Sequence, residues 1–221
     1  MSTRGRAVAR AATALAAAAA LAGTAGAAVG PSSSSLGEKQ LAQMPLPLAQ
    51  LTGGKGLDLA LDPTSGVIDN ARSAKNSIDP ADTAASVAAA GRITGYEIAY
   101  QGGAADQLST SIEVYTDDAA ASRGLARHVQ DFQRLNGKEV TAGIRLLEVN
   151  TWVPAGGALG DEARGLDALV GIDTLKVRGT VASFRLGRLV GTASVVHTNG
   201  TAARADATAN ARALAHRMQG V

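Results

Sequence analysis

The sequence predicts an α+β fold, an antiparallel sheet packed by helices and assembled from two ββα units in one domain. Two observations carry the prediction. Val181–Val190 alternates apolar and polar residues about a turn at Gly187–Arg188 and runs on to His197, as two antiparallel strands would. Asn199-Gly200-Thr201 then breaks the pattern, and an apolar stripe at helical spacing (Ala203, Ala207, Ala211, Leu214, Met218) follows. The same strand, strand, helix order stands earlier, between Arg92 and Gly137.

Taken from the N-terminus, residues 1–27 have the pattern of a secretory signal peptide. Arg4, Arg6 and Arg10 form a basic start, Ala11–Leu21 an apolar run too short to span a bilayer, and Ala25-Gly26-Ala27 a small-residue cleavage site. The alternative is an uncleaved anchor, which so alanine-rich a segment would serve poorly. Residues 28–35 read as a flexible linker and 36–221 as the single domain. The chain has no cysteine, so it has neither a lipid-bearing cysteine nor a disulfide frame. An exported body of this kind must be held by its core alone. Aromatics make up only 3% of the residues, so that core is expected to be aliphatic.

The basic pI of about 9.1 is misleading. The 21 Lys and Arg exceed the 19 Asp and Glu only because three arginines lie in the leader; without them the balance is 18 to 19. A body with no basic surplus lacks the counterion-release drive for nucleic acid, and it lacks bulk attraction to an anionic membrane. No nucleic-acid partner and no stable membrane anchor are expected for the mature form.

Within the body, Pro45 and Pro47 stop a short helix beginning at Leu36. Thr52-Gly-Gly-Lys-Gly56 is turn material that lacks the order of a phosphate loop. Asp79-Pro80-Ala81-Asp82 predicts a helix start, with Asp79 as cap and Gly91 as the end. Arg92–Gln101 and Leu108–Thr116 alternate as paired strands with one polar face, which suits a sheet covered on one side. Thr116-Asp117-Asp118 caps the next helix, whose predicted solvent face carries Arg123, Arg127, His128, Asp131 and Arg134. Ile144–Trp152 is a strand. Pro154–Ala163 is a glycine-rich loop, where Asp161 and Glu162 read as surface neighbours pointing apart. Leu175–Val177 and Val181–Leu186 give further strand.

Searches for chemistry return little. The three histidines are dispersed, no metal-ligand spacing is present, and Ser194 and His197, an odd number apart on one strand, face opposite sides. No catalytic residue, metal or cofactor is expected. If a ligand site exists, the best candidates are Trp152, Asp161 and Glu162, because glycine loops shape pockets and tryptophan supplies contact area.

Gly91-Arg-Ile-Thr-Gly-Tyr96, Leu159-Gly-Asp-Glu-Ala163 and Phe184-Arg-Leu-Gly-Arg-Leu-Val-Gly191, with the terminal helix, resemble exported or lipid-anchored α+β domains of bacterial envelopes. The layout is similar to the PsbP/Mog1-like sandwich of LpqN-type lipoproteins. The resemblance implies an envelope location and transfers no catalytic residue; the missing cysteine departs from the lipoproteins. The expected function is a secreted, non-catalytic binding domain for a small apolar or lipid ligand or an envelope protein. A secreted hydrolase with an unrecognised site and a structural envelope protein are the alternatives.

Overall fold

The computed structural model describes residues 36–103, 106–141, 143–156, 159–172, 174–198 and 201–220. The predicted leader and linker and the Asn199–Gly200 break lie outside them. The chain opens with helix α1 (Glu38–Leu41), a 3-10 turn at Leu48–Gln50, short strands β1 (Ala60–Leu61) and β2 (Gly66–Ile68), and helices α2 (Asn70–Asn76) and α3 (Ala84–Ala89). The first ββα unit is β3 (Arg92–Gln101), β4 (Gln107–Tyr115) and α4 (Asp118–Leu135). A meander of β5 (Glu139–Thr141), β6 (Ile144–Trp152) and β7 (Glu162–Ile172) leads to the second unit, β8 (Leu175–Leu186), β9 (Leu189–His197) and α5 (Arg204–Gln219).

All the strands join one antiparallel sheet in the order β1-β3-β4-β9-β8-β7-β6-β5, with β2 also on β3. The two ββα units therefore meet at the centre, where β4 pairs with β9, and their helices cover opposite faces. Phe132 of α4 packs with Leu166 and Val181, and Leu125 with Val190. Ala207, Ala211, Leu214 and Met218 of α5 pack with Phe184, Ala193 and Val195 on the other face. The small residues of α5 let its backbone approach the sheet closely. Residues 36–59 form a strap over the rest of that face, with Leu41, Met44 and Leu46 buried and the Leu46 amide donating to Thr110 Oγ1 at 2.9 Å.

The sheet is thus covered on both faces at its centre, contrary to the one-sided sheet expected from alternation. All nine residues of β4 are buried, Ser109, Ser111 and Glu113 included. The alternation is real, but its polar side faces α2–α4 rather than water. The same correction applies to α4, where His128 and Asp131 are buried instead of exposed.

Three local expectations also shift. The helix begun at Asp79 starts later, at Ala84, because Thr83 and Ser86 form a reciprocal capping box, while Asp79 and Asp82 pair with Arg134 and Arg127 of α4. β7 begins at Glu162, inside the expected glycine-rich loop, and runs on through residues for which the sequence predicted no element. Its glycine at 165 lies under the Trp152 ring, which a β-carbon would overlap, so the residue that weakens the strand pattern is required by its neighbour. Gly124 does the same inside α4: a β-carbon there would overlap the Tyr115 hydroxyl. Within the expected capping run it is Asp117 that caps α4, its carboxylate accepting from the Ala120 amide at 2.7 Å, which lowers its pKa. Asp117→Ala should cost about 1 kcal/mol and, in a domain of this size, about 2–4 °C in thermal melting.

Candidate functional site

A groove of about 520 Å3 opens where the strap passes the start of α5. Leu48, Leu51, Leu57 and Leu59 wall it, residues 52–55 line it, and Lys55 and Asp206 supply charge. Its volume falls within the range of small-molecule sites, and its lining is mostly apolar with few polar groups, as such sites require. The strap holds this shape through Asn210 of α5, which is buried. The Asn210 side chain accepts from the Thr52 amide at 2.8 Å and donates to the Thr52 carbonyl at 3.1 Å. Arg217 adds a bond to the Gln43 carbonyl. Gly53 has φ +87°, and a β-carbon on Gly54 would come within 2.8 Å of Leu108. The glycine run expected to be a mere turn is what brings the strap down on the sheet and leaves the leucines beside an open channel.

A second cluster is buried between the sheet and the helices. The Arg92 guanidinium donates to Glu113 Oε1 at 2.6 Å, to Asn70 Oδ1 at 2.8 Å and to the Ile68 carbonyl at 3.0 Å. Tyr115 donates to the other oxygen of Glu113 at 3.0 Å. Glu97, paired with Arg72 at 3.4 Å, extends the cluster, and burial pushes its pKa up to about 7. His128 Nε2 stands 3.8 Å from Glu113, close enough for an ion pair if the ring were protonated. Burial, with Arg92 and Arg127 nearby, instead holds its pKa down to about 3. The neutral ring is the better description, because Arg92 already neutralises Glu113 and the surrounding field is cationic. The void beside His128 is about 10 Å3, too small for an organic substrate. What the cluster visibly does is tie Asn70 of α2 and the Ile68 carbonyl of β2 to β3 and β4.

The residues singled out from sequence are not brought together. Trp152 pairs with Gly165, three residues along β7 from Glu162, so the two side chains lie on opposite faces. Arg204 stands over the Trp152 ring at 5.7 Å and pairs with the buried Asp167 at 2.5 Å. Asp161 and Glu162, expected to diverge, converge on Arg185 at 3.1 and 3.0 Å, a correction imposed by β7 beginning at Glu162 alongside Arg185. Each has a further structural bond: Asp161 accepts from the Gly187 amide, and Glu162 from Ser122. They fasten the β8–β9 turn and α4 to the sheet. Ser194 and His197 do face opposite sides; Ser194 is buried and His197 approaches Asp106 at 3.4 Å. Among the described residues no three His, Asp or Glu side chains gather as a metal site, and no helix is long and apolar enough to cross a membrane.

The signal for the groove was present in the sequence as four leucines at 48, 51, 57 and 59 about a glycine run. Nothing in local pattern separates leucines that wall a groove from leucines of a core. Neither a family model nor a curated protein sequence matches the chain. In fold it is similar to the extracellular domain of PknH from Mycobacterium tuberculosis, with a TM-score of 0.55 and 10% identity over 84% of this chain and 97% of that one.

Proposed function

We propose that this protein is an extracytoplasmic, non-catalytic binding domain whose leucine groove takes a small apolar ligand. The observation that carries the proposal is the groove itself, apolar, of ligand size and held open by the Asn210–Thr52 bonds. Support for the location comes from the signal-peptide pattern of residues 1–27 and from the fold similarity to an extracellular domain. The ionisable residues that sequence offered as candidates lie elsewhere in polar bonds, and only Lys55 and Asp206 supply charge to the groove.

The test is binding of a fluorescent long-chain fatty acid to the secreted protein, with native mass spectrometry for carried-over mass. Leu51→Asp with Leu57→Asp should weaken probe binding by more than tenfold, with thermal melting used to confirm that the variant folds. Equal binding by wild type and folded variant would remove the groove from consideration. Turnover of an ester, peptide or glycan that is lost on changing His197 or Asp161 would overturn the non-catalytic assignment.

A further inference from the structure

The sheet has an unprotected edge. β5 covers only the start of β6, pairing at Ile144 and Arg145, and among the described residues no strand lies beside the rest. The direction of the free backbone groups follows from the bonds present. Leu146 turns its amide and carbonyl outward, to Lys138 and Gly137, at 2.9 and 2.8 Å. The register slips by one residue between Leu146 and Glu148, so Leu147 is the extra residue of a bulge. Alternation then points the backbone of Val149, Thr151 and Val153 outward, while Asn150 and Trp152 bond to β7.

Natural edges are usually guarded by charge, proline or a bulge. Here the bulge and Glu148 lie before the open stretch and Pro154 after it. Val149-Asn-Thr-Trp-Val153 contains none of these, and Val153 is 80% exposed. The stretch is nearly symmetric about Thr151. In an antiparallel pair with itself, Val149 faces Val153, Asn150 faces Trp152, and Thr151 faces Thr151. β-Branched pairs and threonine pairs are favourable cross-strand neighbours. No like charges are opposed, because Glu148, already paired with Arg178 of its own copy at 3.1 Å, falls opposite Pro154.

The geometry points to a second copy of this chain as the occupant of this edge, joined through residues 149–153 about a twofold axis at Thr151 to make one continuous sheet. Five paired residues make a small interface, so the dimer is weak and concentration-dependent.

The chain has no cysteine, which gives a direct test. At the axis Thr151 faces Thr151 of the other copy as a hydrogen-bonded pair, with Cβ atoms about 5.5 Å apart, within reach of a short bifunctional thiol crosslinker. With such a crosslinker Thr151→Cys should form a covalent dimer at least tenfold faster than Gln133→Cys, which is exposed on α4. Thr151→Pro removes an outward amide and spares the β6–β7 ladder, so it should stay folded and abolish self-association. Sedimentation of the unaltered protein should show mass rising toward the dimer as concentration increases. A chain monomeric to near-millimolar concentration overturns the proposal, as does crosslinking no faster at Thr151→Cys than at Gln133→Cys. Capture of a different extended peptide by a chain that does not self-associate does so too.

Discussion

Arg92→Met is expected to destabilise the protein by about 3–5 kcal/mol, read from chemical denaturation, because it leaves Glu113 buried without its cation. The Arg92 side chain is fully buried and supplies three hydrogen bonds that nothing apolar could replace. Its removal strands Asn70 Oδ1 and the Ile68 carbonyl as well as the carboxylate. The informative comparison is the double variant Arg92→Met with Glu113→Leu. Removing both charges should recover much of the loss, since a buried pair exchanged for apolar residues costs far less than a pair broken on one side. If the single variant loses no more than an exposed ion pair would, under about 1 kcal/mol, the cluster does not hold the sheet to its helices as described.

Acidification should erode the stability that neutral His128 contributes. The folded pKa, about 3, lies below the ordinary value of 6.5, so the unfolded chain takes up a proton that the folded chain refuses. Stability from this group is complete above 6.5 and falls by about 1.4 kcal/mol per pH unit below it, down to the folded pKa. Glu97 has the opposite sign. Its folded pKa, about 7, exceeds the ordinary 4.5, so its contribution is complete below 4.5 and is lost as pH rises toward 7. Between 4.5 and 6.5 the two slopes largely cancel, and below 4.5 the histidine acts alone of this pair. The measurement is denaturant unfolding of wild type and His128→Gln from pH 7 to pH 4. The stability gap between them should shift against the wild type by about 1.4 kcal/mol per unit below 6.5. A gap independent of pH would mean that His128 takes up its proton in the fold as readily as in the unfolded chain, and the neutral ring would be the wrong description.

These two results concern a layer that the sequence disguised. Glu97, Ser109, Ser111 and Glu113 alternate with apolar residues just as a solvated strand face does. Alternation reports that two faces differ in polarity; it does not report what lies against each. Here α2, α3 and α4 close over the polar face, and Arg92 with Asn70 satisfies it. His128 and Asp131 were misplaced for the same reason. β7 escaped detection because Gly165 and Asp167 interrupt its pattern, and both answer to neighbours far along the chain, Trp152 and Arg204.

The candidate site was legible only in its parts. The leucines and glycines of residues 48–59 were visible, but their joint purpose depends on Asn210, which is 158 residues from Thr52. Local pattern pointed instead to Trp152, Asp161 and Glu162, whose partners Arg204 and Arg185 also lie on other elements. What the sequence by itself determined was local: the strand and helix periods, the capping run at residues 116–118, the turn at Gly187, the duplicated ββα order and hence the α+β class. The tertiary structure alone decided which faces are covered, which charges are paired and where a groove remains. Those depend on contacts between residues dozens to more than a hundred positions apart, and no window of local pattern contains them.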